Sequence, residues 1–190
     1  MDTSSPRQLL PVAAATFTEA VHAVPADRWS HSTPCAEWTV RDVVNHVTGE
    51  HLWVPHLLRQ ETVEQVGDRY DGDVLGDDPV AAWDAAIGAS LAAWASLASD
   101  DLPVHLSYGD QPAGVYAADM LSDLTVHAWD LARGAGVDER LDPGTVAAVL
   151  EHVRPHAQML AGSGMFAPPV EISTDDPQEE LIALFGRDPR

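Results

Sequence analysis

The sequence has very little cysteine and few basic side chains. Cys35 is the only cysteine among 190 residues, so no intramolecular disulfide can form, and the chain is not one of the small secreted proteins that depend on several. Lys and Arg together number 10 against 30 Asp and Glu, which gives a formal net charge of −20. Nucleic acids and anionic membranes are bound by clustered cations, so we expect neither as a partner.

Long apolar runs are also missing. No stretch approaches the roughly 20 apolar residues that span a bilayer. The first residues, MDTSSPRQLLPVAAATF, have neither the basic segment nor the continuous apolar run of a signal peptide. We therefore expect a cytoplasmic protein. Apolar residues nevertheless make up 45% of the chain, and its length suffices for one sizeable core but not for two comfortable domains.

Apolar residues recur at helical spacing in five long segments. The clearest of these begins at Asp78-Pro79, where Asp can cap a helix and Pro is favoured at its first position. The helices are predicted at residues 6–24, 40–60, 79–99, 112–133 and 143–161. Strand signals are scarce, and VHLSYG, within residues 100–112, is the candidate for a short hairpin. The pattern predicts an all-α bundle with long ordered loops.

Two of the predicted helices carry side chains that suit a metal. Asp123 and His127, in DMLSDLTVHAWDL, lie one helical turn apart, so they project from the same face. His46, in VVNHVTGEH, lies on a mostly apolar face, where both ring nitrogens need partners. If the two helices pack together, two imidazoles and one carboxylate converge, which is the ligand set of many open zinc sites and also suits other divalent metals. The spacing alone fits equally a core histidine and a hydrogen-bonded Asp–His pair.

Three stretches together resemble a known family: TPCAEWTVRDVVNHVTGEHLW, DMLSDLTVHAWDLARGAG and GMFAPPVEISTDDPQEELIALFGRDP. They are similar to the actinobacterial metal-binding proteins related to the N-terminal domain of mycothiol-dependent maleylpyruvate isomerase. These belong to the DinB-like four-helix bundles, which also include bacillithiol transferases. The resemblance implies a DinB-like bundle over residues 1–164, with a C-terminal extension, residues 165–190, that packs on it. It also implies His46, Asp123 and His127 as metal ligands.

The sequence departs from the isomerase pattern at two points. The isomerase has Glu at the acidic ligand position, whereas this chain has Asp123, which is one methylene shorter. The isomerase also has a separate C-terminal domain that contributes to its active site, and these 190 residues contain no counterpart. We therefore do not expect isomerisation of maleylpyruvate itself.

The resemblance implies a metal-dependent thiol transferase or isomerase-like enzyme. A divalent metal, zinc or as second choice nickel, would lower the pKa of mycothiol, and the thiolate would attack a small electrophile. No catalytic residue is expected apart from the metal ligands. Two alternatives stay open: a non-catalytic metal- or small-ligand-binding bundle, and a metal-assisted hydrolase with water as nucleophile. The expected partners are the small thiol and the electrophile, and an apolar outer stripe would allow a homodimer.

Two residues near these motifs have open roles. Glu50, one turn after His46, is either a substitute ligand or an acceptor that orients an imidazole. Cys35 is interpreted as a packed side chain rather than a nucleophile, because no base for it is identifiable.

The remaining polar residues of these helices are interpreted as supporting groups. Asp119 extends the Asp123–His127 stripe and is a candidate to hydrogen-bond a ligand. Asp130 is expected at a helix end or in a salt bridge, and His51 is expected at the surface or against a loop.

Overall fold

The structure, a computed structural model, describes residues 4–156 and 167–190. Its helices are α1 Pro6–Ala23, α2 Val40–Leu57, α3 Val63–Val66, α4 Pro79–Ser96, α5 Ala113–Ala135, α6 Pro143–Val153 and α7 Pro177–Leu184. Strands β1 Pro103–Leu106 and β2 Gly109–Pro112 form an antiparallel hairpin between α4 and α5, with Val104 opposite Gln111. The predicted hairpin is therefore present.

Helices α1, α2, α4 and α5 form the bundle. α1 packs along α5 and α2 packs along α4, and the two pairs meet where α2 contacts α5 and α1 contacts α4. α6 lies against α5 and α1, and α7 packs on α6. The prediction of an all-α, DinB-like bundle is confirmed. Within the described ranges, no helix has both the length and the apolar character needed to cross a membrane.

Local sequence explains where the bundle helices begin. The Thr39 hydroxyl accepts a hydrogen bond from the backbone N–H of Asp42, and the Asp42 carboxylate accepts one from the Thr39 N–H, so the two residues form a capping box at the start of α2. The Asp78 carboxylate accepts a hydrogen bond from the backbone N–H of Ala81 and so caps α4, with Pro79 at its first position. The Thr39–Asp42 capping box fixes the first turn of α2 and thereby the face on which His46 lies.

Helix α5 is the most enclosed element of the bundle. It is contacted by α1, α2, α6 and the hairpin, and most of its residues are buried. It ends at Gly136, whose φ of 71° is left-handed and favours glycine. The helix therefore runs two residues past the predicted end at Arg133, and Gly134 lies inside it. Polar side chains on so enclosed a helix need partners within the protein.

Other predicted helix ends differ by a few residues. α2 ends at Leu57, shortly after Pro55, and α4 ends at Ser96. α6 gives way to a 3-10 turn at Arg154–His156; its predicted end near residue 161 and the predicted boundary at residue 164 lie outside the described residues. In the C-terminal residues 167–190, α7 packs on α6 with Leu181 and Ile182 fully buried, and Arg187, after α7, contacts Asp130 of α5.

Candidate metal centre

The packing of α2 against α5 places three side chains together. His46 comes from the middle of α2, and Asp123 and His127 come from successive turns of α5. About a third of the His46 side chain and a quarter of Asp123 are exposed, whereas His127 is 7% exposed. The site therefore opens to solvent on the side of His46 and Asp123 and is closed behind His127.

The distances among the three side chains suit a bound ion. Nε2 of His46 and Nε2 of His127 each lie 3.4 Å from Oδ1 of Asp123, and the three donor atoms lie within 4.8 Å of one another. Ligand atoms about 2.0–2.1 Å from a tetrahedral ion are roughly 3.4 Å apart. Good N–H···O hydrogen bonds are shorter, at about 2.7–3.2 Å. The two His–Asp distances thus match ligand spacing and are long for hydrogen bonds.

Asp123 has spare acceptor capacity in this arrangement. Its Oδ2 is buried and finds no hydrogen-bond partner among residues 4–156 and 167–190. Burial by itself raises the pKa of Asp123, but the charge of His127 and the contacts with both histidines more than offset this, so the pKa lies well below its usual range. The site therefore holds an ionised carboxylate with an unused oxygen, which fits a cation.

Each ring nitrogen of His127 contacts a carboxylate: Nε2 faces Asp123 and Nδ1 faces Asp130. Its Nδ1 lies 3.0 Å from Oδ2 of Asp130, which is fully buried. Burial by itself lowers the pKa of His127, but the Asp123 carboxylate, aided by Asp130, raises it to about 9. The ring is thus protonated at neutral pH when no ion is bound.

Trp38 covers the two imidazoles from the loop that precedes α2. Its ring lies 4.8 Å from the His46 ring and 5.6 Å from the His127 ring, nearly parallel to the latter at 25°. The half-buried indole therefore restricts both rings to orientations that face Asp123. The sequence analysis did not identify Trp38 as part of the site, because no local pattern connects this loop residue with α5.

A second converging set consists of Cys35, His127 and Asp130. The Arg187 guanidinium already forms a buried ion pair with Asp130, with a nitrogen 2.8 Å from Oδ2. A metal ion there would face a fixed positive charge, so this set is the poorer cation site. Burial raises the pKa of the Cys35 thiol, and Arg187 only partly offsets it. This agrees with the interpretation of Cys35 as a packed side chain.

Two other acidic candidates contribute no atom to the converging ligand set. Glu50 belongs to neither of the converging sets found among the described residues, although burial and the charge of Asp123 raise its pKa. Asp119 accepts a hydrogen bond from the Tyr108 hydroxyl and pairs with His152 at 3.5 Å, so it faces the hairpin and α6. Asp119 was a candidate to hydrogen-bond a ligand, but its hydrogen bonds in the described structure go elsewhere, because it lies a further turn toward the start of α5.

Asp130 and His51 have environments that sequence reasoning did not fully predict. Asp130 does form a salt bridge, but its contact with His127 was missed, although the spacing of three residues puts both on one helical face. The expectation for His51 was wrong: it is fully buried between α2 and α4, with Nδ1 2.8 Å from the Ser90 hydroxyl. Five residues after His46, it faces the opposite side of α2.

One of three comparisons with known proteins found a match, and it agrees with the fold. The family model described as "Mycothiol maleylpyruvate isomerase N-terminal domain" matches residues 10–132, which include all three candidate ligands. Searches of curated proteins and of solved structures found no match.

Proposed function

Because this chain belongs to the mycothiol maleylpyruvate isomerase N-terminal-domain family, we propose that it is a metal-dependent enzyme that activates mycothiol for attack on a small electrophile. The convergence of His46, Asp123 and His127 where α2 meets α5 is the observation that carries this proposal. Two imidazoles and one carboxylate suit zinc and leave one coordination position open, with nickel as second choice.

Each side chain has a distinct part in such a site. His46, Asp123 and His127 would hold the ion, and Asp130 accepts a hydrogen bond from the Nδ1–H of His127, which leaves Nε2 to face the site. Trp38 shields the imidazoles on one side. A divalent ion held by these residues would supply a Lewis acid that lowers the pKa of a thiol, so that the thiol loses its proton to solvent and is present as the nucleophilic thiolate. The partly exposed edges of His46 and Asp123 leave room for a small thiol to enter.

Metal content of tag-free protein tests the first half of the proposal. We expect about one equivalent of zinc or nickel after reconstitution, lost in His46→Ala and in His127→Ala. His22→Ala is the matched control, because His22 also pairs with a carboxylate, Asp84 at 2.9 Å, but on the exposed surface. A wild-type protein that takes up no metal, with all variants folded, would refute the proposal and leave a structural Asp–His pair.

Thiol binding tests the second half. In cobalt-substituted protein, we expect mycothiol to change the visible absorption spectrum, while mycothiol disulfide, which has no free thiol, leaves it unchanged. Metal binding without a thiol response would favour a non-catalytic binding protein. Hydrolysis of activated esters without added thiol would favour a metal-assisted hydrolase.

A further inference from the structure

A buried ion pair lies directly behind the candidate ligand His127. The Arg187 guanidinium places one nitrogen 2.8 Å from Oδ2 of Asp130 and its Nε 3.3 Å from Oδ1. Arg187 is 6% exposed and Asp130 is fully buried. Removing two charges from water is costly, and a buried ion pair often stabilises a fold no better than apolar residues do. Stability alone therefore does not explain why the Arg187–Asp130 ion pair lies behind His127.

Asp130 connects this ion pair with the site. The same oxygen, Oδ2, contacts both the Arg187 guanidinium and Nδ1 of His127, the latter at 3.0 Å. An acceptor at Nδ1 selects the tautomer in which Nε2 is free to ligate a metal, and it also fixes the plane of the ring. The carboxylate can do this only if its own orientation is fixed, and Arg187 fixes it by contacting both oxygens.

Local structure at the C-terminus presents Arg187 in a single position. Gly186 has a φ of 80°, and a Cβ atom there would lie 2.4 Å from the carbonyl oxygen of Ala167, so only glycine fits the turn. The backbone N–H of Arg187 donates to Ile182 at 3.1 Å, and its guanidinium donates to the Phe185 carbonyl at 2.8 Å. The guanidinium is thus oriented before it reaches Asp130.

We propose that Arg187 is a positioning residue for the metal centre: through Asp130 it holds the His127 ring with Nε2 toward His46 and Asp123. This inference rests on the proposed metal-binding function. Arg187 lies outside residues 10–132, the part matched by the family model, so this inference assigns a role at the site to a residue beyond the matched part. The more exposed Arg154–Glu180 ion pair, at 2.7 Å, also anchors the C-terminal segment.

Zinc affinity of three variants tests this role. Arg187→Gln combined with Asp130→Asn removes the ion pair without leaving an unpaired buried charge, and we expect zinc affinity to fall by about 10- to 100-fold. Arg187→Lys changes Arg187 alone: it keeps the positive charge but cannot contact both oxygens of Asp130, so we expect a loss of zinc affinity smaller than that of the double variant. Arg154→Met, the matched control, removes an ion pair of the same segment and should leave zinc affinity unchanged. Thermal unfolding without metal reports whether each variant is folded.

The spectrum of the cobalt-loaded protein separates positioning from anchoring. A positioning role predicts an altered ligand-field spectrum in the double variant and the wild-type spectrum in Arg154→Met. A folded double variant with wild-type zinc affinity and spectrum would overturn the inference and leave the proposed function intact. Wild-type protein that binds no zinc would instead refute the proposed function, and the inference with it.

A measurement on the unmodified protein covers the case in which the double variant does not fold. Long-range ¹H–¹⁵N spectra of zinc-loaded wild type report which ring nitrogen of His127 carries the proton. We expect a protonated, hydrogen-bonded Nδ1 and a zinc-bound Nε2. Zinc on Nδ1 would overturn the inference irrespective of the variants.

Discussion

His127 is the residue at which the charges of the site meet. Asp123 lies at its Nε2, Asp130 lies at its Nδ1, and the ring has almost no exposure to water. Two carboxylates around one imidazole favour its protonated form, which raises its pKa to about 9. A cation that binds at Nε2 must therefore displace a proton, so metal affinity and pH are linked.

Zinc binding should release roughly one proton at pH 7 and tighten by about tenfold per pH unit up to about pH 9. Zinc affinity rises with pH because His127 is protonated below its pKa in the metal-free protein and must be neutral to bind the ion. Isothermal titration calorimetry in two buffers of different ionisation enthalpy measures the released proton. Equal affinity across this pH range would contradict the combination of a raised His127 pKa and ligation by His127.

His51 should make folding sensitive to mild acid. Burial lowers its pKa to about 4 from an ordinary value of 6.5. The unfolded chain therefore binds the proton more readily, and stability falls as pH drops from about 6.5 to about 4, by roughly 3 kcal/mol at most. Urea unfolding as a function of pH measures this loss.

His51→Gln should remove that part of the acid dependence. His31→Gln, at an exposed histidine, is the matched control and should keep the wild-type slope. An unchanged slope in His51→Gln would show that other groups cause the acid sensitivity.

Helix α5 meets the start of α2 at a close contact. A Cβ atom on Gly134 would lie 2.7 Å from Cγ2 of Thr33 and 3.1 Å from both the Ser32 carbonyl oxygen and Cγ2 of Val40. Only a residue without a side chain lets α5 approach the loop that carries Trp38 so closely. Gly88, inside α4, has open space instead. Apart from the backbone of α4 itself, no atom of the described chain would lie within 4 Å of a Cβ atom on Gly88.

Two glycine-to-alanine substitutions should therefore have opposite effects. Gly134→Ala should destabilise the protein by about 1–3 kcal/mol, because the added methyl group overpacks a fixed contact. Gly88→Ala should stabilise it by up to about 1 kcal/mol, because alanine favours the helix and nothing obstructs it. Urea unfolding of both variants measures the difference. Equal effects would contradict the close contact at Gly134.

At the scale of the whole molecule, the excess of acidic residues opposes folding. With a formal net charge of −20, the folded chain concentrates like charges that separate on unfolding. Ion pairs such as Arg154–Glu180 offset only a small part of this, because exposed pairs contribute at most about 1 kcal/mol each. Repulsion among the surplus carboxylates should therefore dominate the response to salt.

The melting temperature should rise when sodium chloride is increased from about 20 mM to about 500 mM. Over that range the screening length shortens from roughly 20 Å to less than 5 Å, so repulsion between surface carboxylates weakens. Differential scanning calorimetry at constant pH measures the shift, and potassium chloride serves as the control for an ion-specific effect. A lower melting temperature at high salt would show that ion pairs outweigh the repulsion.

Local interactions explain why the sequence by itself determined the helices and the candidate ligands. Capping at Thr39 and Asp78 and the left-handed stop at Gly136 act over a few residues, so they can be identified from the sequence within a turn or two. Helical periodicity likewise puts Asp123 and His127 on one face. His46 was a candidate from its place on an apolar helical face, but no local rule specifies its distance from the other two, and only the family resemblance implied that all three are ligands.

Only the tertiary structure decided which groups meet across elements. Asp130 and Arg187 are 57 residues apart, and His51 is buried because α4 covers its side of α2. No periodicity links such positions, since their contact depends on how helices pack and where the C-terminal segment returns to the bundle. The ring nitrogen of His127 that faces the site is set by the same packing, which places Asp130 and Arg187 at the opposite edge of the ring.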